Sequence, residues 1–475
     1  MTAPHSSTRR VLVLGGGLAG TLAAAALAPH CDETILIERH MLPATPQPRR
    51  GLPQARHAHM LWSGGAKAIE ALVPGTTSRW LSGGAHRIPL PTGMVSLSPG
   101  GWFRRWPESH FLITASRDLI DWGVRAGLDE HLGIQFMQGE PTRLLGNHAR
   151  ITGSVVRRPD GTEEILRADL VVDAMGRGSR APRWLEDLGV PSIPESVIDA
   201  GVTYASRRYK APADTPKSWP VIHIQADPRR PNPGKIASIV PIEGGDWLVS
   251  LSGTRGGEPT NDSEAYEAYA AQARSPLVAE ILARAEPLGP VTVTRTTANR
   301  RRHYEKLGRH MPDGFVAIGD SATALNPVYG HGMSVAAQSA RALAEVVAKR
   351  GNIGASGFTR HAQRAIGRPA TAAWMLATGQ DIFFPNSQGK KPNLIDRVTS
   401  AYVHRLIHTA TGDLTATDAL TEVMTLQADV RALAHPAVLL AALRGPRQPA
   451  LPGPDLTLAE QRVLNAPGRS VPFKV

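Results

Sequence analysis

The fold class predicted is α/β: a parallel sheet covered on both faces, a second, antiparallel sheet, and a helical C-terminal region. Three patterns predict it. Short, largely apolar, β-prone runs recur at 11–14, 34–37, 168–174 and 314–319, the form of central strands in a parallel sheet. Between 221 and 251 the chain instead passes through three alternating runs, 221–226, 236–242 and 247–251, the last two joined through Gly244-Gly245-Asp246 as antiparallel neighbours are. Beyond about residue 370 the pattern turns helical, with 426–443 rich in Ala and Leu. At 475 residues, 42% of them hydrophobic, the chain suffices for two or three domains around a large core.

Composition excludes several classes. The 46 Gly and 39 Pro fall below the low-complexity range, so the chain is not disordered throughout. Cys31 is the single cysteine, which excludes a disulfide framework, a dithiol redox pair and a thiolate metal cluster, and which fits a reducing cytoplasm. Any redox chemistry must come from a cofactor. The 53 Lys and Arg against 41 Asp and Glu give a net charge of +12, with 44 Arg to 9 Lys. The arginines are spread from Arg9 to Arg469 without a run of five like charges or interleaved aromatics, so no nucleic-acid partner is expected; such a field suits phosphate-rich cofactors or acidic carrier proteins. Thr8-Arg9-Arg10 ahead of the uncharged stretch 11–28 mimics an export signal, but glycines interrupt that stretch and it runs on into a second strand rather than a cleavage site. No other stretch approaches the ~20 apolar residues of a membrane span. The expectation is a cytoplasmic protein with no membrane partner.

Taken in order, the run 11–14 leads at once into Gly15-Gly16-Gly17-Leu18-Ala19-Gly20, a G-x-G-x-x-G turn, and 21–28 follow as an Ala/Leu-rich helix ending before Pro29. Gly15 permits the tight turn, Gly17 lets the backbone approach a pyrophosphate, and Gly20 lets helix and strand pack closely. The run 34–37 ends in Glu38, 18 residues after Gly20, where a carboxylate accepts hydrogen bonds from an adenosine ribose. An acid there disfavours a 2′-phosphate, so the dinucleotide expected is FAD or NAD rather than NADP. A second apolar strand ends in Asp173 and the small loop Gly176-Arg177-Gly178-Ser179. A third ends in Gly319-Asp320 and runs through Asn326-Pro327-Val328-Tyr329-Gly330-His331-Gly332-Met333 into an Ala-rich helix reaching about Lys349.

Together these signatures resemble the flavoprotein monooxygenases of the para-hydroxybenzoate hydroxylase type. The resemblance implies that Asp320 binds the ribityl part of FAD and that Pro327, Gly330, His331, Gly332 and Met333 lie beside the isoalloxazine ring. It further implies that Arg117, before the helix 119–128, reaches the ribityl and phosphate region. Physics supports the ring placement, because a helix starting near Gly332 aims unpaired N–H groups and about half a positive charge at the pyrimidine edge, where reduced flavin is negative. Ala19 and Arg39 complete the cofactor-binding set. Met175 departs from the family pattern by bringing no polar side chain to the middle motif.

The segment Arg49-Arg50-Gly51-Leu52-Pro53-Gln54-Ala55-Arg56-His57-Ala58-His59-Met60-Leu61-Trp62 is similar to one in bacterial flavin epoxidases of polyether ionophore biosynthesis, of the lasalocid and monensin kind. Arg105-Trp106-Pro107, Ser252-Gly253-Thr254-Arg255-Gly256 and Ala298-Asn299-Arg300-Arg301 match as well. This resemblance implies Gln54 and Arg56 at the dimethylbenzene side of the flavin. It also implies epoxidation of a small-molecule or carrier-bound polyene by a C4a-hydroperoxyflavin, formed from O2 and from electrons of NAD(P)H or a partner flavin reductase. An alkene is already a nucleophile, so no catalytic acid or base is required. Aromatic hydroxylation is the nearest rival, a flavin reductase or dehydrogenase without oxygen transfer the next, and the lack of a W-x-W-x-I-P segment argues against halogenation. His57 and His59 read as hydrogen-bonded histidines rather than metal ligands, and 300–303 as a solvated basic run before a phosphate dock. Expected domains are a discontinuous Rossmann-like FAD-binding domain (9–75, 110–188 and 295–350), a substrate-binding β-sheet domain (76–109 and 189–294), a helical region (351–445) and a loose tail (446–475). Apolar side chains on one face of the second sheet either line a hydrocarbon pocket or form core.

Overall fold

In the computed structural model, residues 9–131, 133–295 and 297–467 are described. A five-stranded, wholly parallel sheet runs in spatial order Phe315–Ala317, Leu170–Asp173, Arg10–Leu14, Glu33–Glu38, Gln135–Gln138. Its inner strands are almost wholly apolar because both faces are covered, whereas the edge strand Gln135–Gln138 is half polar and largely exposed. Val11 and Val13 pack with Leu22 of helix Leu18–Leu27, Ile120 and Val124 of helix Arg117–His131, and Leu343 and Val347 of helix Gly332–Arg350. Leu12 and Leu14 point the other way, onto Ile151 and Val156 of a three-stranded antiparallel ribbon and onto Trp184. Each such side chain removed from water contributes about 1.5–3 kcal/mol.

The second sheet has seven strands, in order Glu286–Thr294, Thr203–Lys210, Asp246–Gly253, Lys235–Ile242, Val221–Ile224, Met94–Ser98, Gly101–Trp102. The three expected strands are antiparallel neighbours, and Met94–Ser98 adds parallel to Val221–Ile224. Alternation divides this sheet. Ile222, Ile224, Ala237, Ile239, Trp247, Val249 and Leu251 face Tyr266, Tyr269, Val278 and Ile281 on two short helices and form a closed core. The apolar face is therefore not a hydrocarbon pocket.

Two expectations about the chain's organisation need correction. Trp80 of helix Thr76–Ser82 is buried in the core of the parallel-sheet domain, donating Nε1–H to Ile120 O at 3.0 Å, so the packing carries that domain past residue 75. The stretch expected to be a loose tail is anchored as far as it is described. Helix Leu458–Asn465 inserts Val463 into the core of the second sheet, and the buried Glu460 pairs with Arg105 at 2.6 Å. Residues 468–475 lie outside the described residues. The helical region comprises Phe358–Asp381, Leu394–Ala410, Leu414–Met424 and Pro436–Arg444, the Ala/Leu-rich stretch being broken before Pro436. Among the described residues no helix is long and apolar enough to cross a membrane.

Candidate functional site

The glycine turn packs as closely at Gly15 and Gly20 as a strand running straight into a helix demands, and it is open at Gly17. Gly15 takes φ +106°, and a Cβ there would lie 2.5 Å from Ala174 O. A Cβ on Gly20 would come within 1.8 Å of Gly15 O, whereas one on Gly17 meets nothing within 4 Å. The N-terminus of helix Leu18–Leu27 has no side-chain cap, so its first N–H groups and its positive end stand ready for an anion in the space that Gly17 keeps clear. Ala19 belongs to that first turn, and its Cβ lies 2.5 Å from the position a Cβ on Gly319 would take, so the Gly-Asp loop packs onto the glycine turn.

Glu38 ends its strand beside this turn, its Oε2 accepting from Gly16 N at 2.8 Å and its Oε1 from His40 N at 3.2 Å. Sequence reasoning missed the partner that fixes it. Arg49, with a 5% exposed side chain, lies 3.2 Å from Glu38, donates to Gly16 O at 2.8 Å and lies 3.7 Å from Asp121, which accepts from Arg117 Nε at 2.7 Å. Glu38, Arg49, Asp121 and Arg117 thus form one charged chain running inward from the glycine turn. The only available signal was that Arg49 opens the segment singled out above and that Asp121 lies one helical turn past Arg117. Arg39 stays at the surface with its Nε on His40.

At the other end Asp320 keeps 41% of its side chain open, 3.5 Å from Arg177 Nε. Its position deep in the cleft pushes its carboxyl above the usual range, against the opposing pull of Arg177 and Arg117. Asp173 is sealed: Ser179 Oγ donates to it at 2.6 Å and Ser321 Oγ at 3.0 Å, which ties the second motif to the third. The turn Pro327–Tyr329 follows, Asn326 capping it through Val328 N. Gly330 takes φ +66°, and helix Gly332–Arg350 then begins with open space where a Gly332 Cβ would stand. His331 is fully buried, donates Nε2–H to Met424 O at 3.0 Å, and is held neutral by burial, its pKa pulled down to about 4. Met333 packs its side chain into the domain core.

Between these ends and the second sheet lies the 53–59 segment. Gln54 and Arg56 are exposed on the turn Pro53–Arg56, which sits between helix Arg117–His131 and strand Glu286–Thr294. His57 staples the segment to the sheet, bonding Ser206 Oγ and Thr294 Oγ1 at 2.8 Å each, while Ala58 N donates to Ser250 Oγ at 3.0 Å. Burial pulls the His57 pKa to about 4 and that of His59 to about 3. Among the described residues no group of His, Cys, Asp or Glu could hold a metal. A polar row crosses the facing side of the sheet, where register places Ser96, His223, Ser238, Ser250 and Ser206 side by side across five strands, flanked on the same face by Val221 and Val240 packed on Trp62 and Leu112. His223 bonds Ser238 Oγ at 2.8 Å and is also pulled to about 4 by burial, yet it keeps solvent-accessible surface, as a cavity wall does. The basic run 300–303 is not a solvated face. Arg301 and Arg302 are buried, the latter on Glu195 at 2.9 Å and Ser321 O at 2.9 Å; only Arg300 is exposed.

The sequence model of the family described as FAD binding domain matches residues 8–356. Protein Rv3254 of Mycobacterium tuberculosis is 27% identical over 384 residues, covering 78% of this chain and 80% of that one. Kynurenine 3-monooxygenase of Salinispora arenicola is 27% identical over 420 residues, covering 84% and 82%. The solved structure of the flavin-dependent brominase Bmp2 superposes with a TM-score of 0.66 at 16% identity, over 92% of this chain and 98% of that one, a likeness of fold.

Proposed function

This chain belongs to the FAD-binding-domain family of flavin-dependent monooxygenases, and from that premise we propose that it epoxidises alkenes of a linear polyene, free or carrier-bound. Bound and reduced, by NAD(P)H or a partner flavin reductase, FAD supplies the activation of O2 to an electrophilic oxygen. The chain's own residues hold and enclose. Gly17 and the uncapped helix behind it would take the pyrophosphate, Glu38 the ribose and Asp320 the ribityl hydroxyls. Helix Gly332–Arg350 would offer its positive end to the pyrimidine edge. The 57–58 segment, fixed to the sheet by three hydrogen bonds, closes one side against water.

The observation that carries the choice of alkene is the weakness of the available bases. The histidines His57, His59 and His223 around the sheet-facing space all have pKa values pulled to about 3–4. A base that burial has weakened in this way is a poor acceptor for the proton of a phenol, whereas an alkene has no proton to lose. Aromatic hydroxylation has the kynurenine 3-monooxygenase relative in its favour, and one experiment separates the two. Reduced holoenzyme is mixed with a synthetic polyene ester, and separately with a phenol, under labelled O2, and products are weighed by mass spectrometry. The expected product is polyene carrying one labelled oxygen per alkene oxidised; label in the phenol alone, or in neither, overturns the reading.

A further inference from the structure

The turn beside the ring end is tied down from beyond residue 356, where the family match stops. Asp381, the last residue of helix Phe358–Asp381, is 1% exposed. Its Oδ2 accepts from Asn299 Nδ2 at 2.7 Å and from Asn326 Nδ2 at 2.9 Å, and its Oδ1 accepts from Tyr329 OH at 2.6 Å. The cluster closes on itself: Asn326 N donates to Asn299 Oδ1 at 2.7 Å, and Tyr204 OH donates to Asn326 Oδ1 at 3.4 Å. Two of the three donors, Asn326 and Tyr329, flank Pro327 and Val328. No ion pair to Asp381 is found among the described residues, so a buried carboxylate is satisfied by neutral donors alone. Burial raises its pKa and the three donors oppose that rise. A carboxylate so placed is costly, and an amide or an apolar side chain would fill the space more cheaply. The expense fits a group whose geometry matters.

We propose that Asp381 is a positioning residue for the flavin ring: by gathering Asn299, Asn326 and Tyr329 it fixes the turn Pro327–Tyr329 and hence the aim of the helix that begins at Gly332, without touching the cofactor. The helical region thereby completes a site whose other residues lie within the matched segment. The proposal needs FAD to bind where the family places it and does not depend on the substrate being an alkene.

Asp381→Asn tests it, because the new amide oxygen can take only one of the two carboxylate positions: with the oxygen accepting from both asparagines, the NH2 faces Tyr329 and the Tyr329 hydroxyl loses its charged acceptor. Titrations of the apoprotein with FAD and with ADP compare the whole cofactor with its adenosine end alone. The expected result is FAD binding weakened about tenfold, as for loss of one hydrogen bond to a charged group, an altered ring absorbance in the holoprotein, and unchanged ADP binding. Tyr329→Phe, which removes one donor, should move the same way by less. The double change Asp381→Asn with Asn326→Asp puts an acceptor back opposite one donor while leaving Asn299 Nδ2 unpaired, and should recover part of the lost FAD affinity. Equal weakening of FAD and ADP would make Asp381 a general structural residue, and no change in FAD binding or ring absorbance would dismiss it; either result overturns the proposal.

Discussion

Gly17 and Gly20 lie three residues apart and carry opposite demands, which makes them separable by experiment. Gly20→Ala forces a methyl to within 1.8 Å of a backbone oxygen and should destabilise the apoprotein by about 3 kcal/mol or more, read by denaturant unfolding. Gly17 is extended, at φ −72°, with nothing within 4 Å of an added Cβ. Gly17→Ala should leave unfolding nearly unchanged yet weaken FAD binding at least about tenfold, because the methyl stands where the pyrophosphate's hydrogen-bond donors must be approached. Equal stability losses in the two variants would remove the distinction. These glycines and Glu38 were legible in the sequence because strand, turn, helix and acid form a local unit of fixed spacing. Arg49 and Asp381 were not. Their partners lie far away in sequence, and nothing in their neighbours marks a buried arginine or aspartate from an exposed one.

At the scale of elements, the short strand Asn299–Arg302 shows why a charge run misleads. Read as sequence, three arginines suggest a solvated face; in the fold the strand pairs with Glu195–Asp199, sending Arg300 outward and burying Arg302 on Glu195. Arg302→Ala should cost about 1–3 kcal/mol by leaving the buried Ser321 carbonyl without its donor, and Arg300→Ala no more than about 0.5 kcal/mol. Chemical denaturation of both variants measures the contrast, and similar losses would contradict the burial assignment. Alternation in the second sheet was legible too, and it gave the right strands. Which face would be core was not, because that depends on the helices carrying Tyr266 and Ile281, which cover the apolar side and leave the Ser96–His223–Ser238–Ser250–Ser206 row toward the dinucleotide domain.

The molecule as a whole is two sheets brought together over a shared cleft, with helices from the C-terminal region reaching back to its inner end through Asp381 and the Met424 carbonyl. The fold class was legible because each sheet announces itself by period. The contribution of the helical region was not, since contact between distant parts of the chain leaves no local pattern. The account stands on FAD lying extended between Glu38 and the start of helix Gly332–Arg350, and a crystal structure of the reconstituted holoprotein tests that most directly. It should show the adenosine ribose on Glu38, the pyrophosphate over Gly17 and the pyrimidine edge of the ring at Gly332 and Met333. A ribose bound away from Glu38, or a ring resting against other residues, would contradict it.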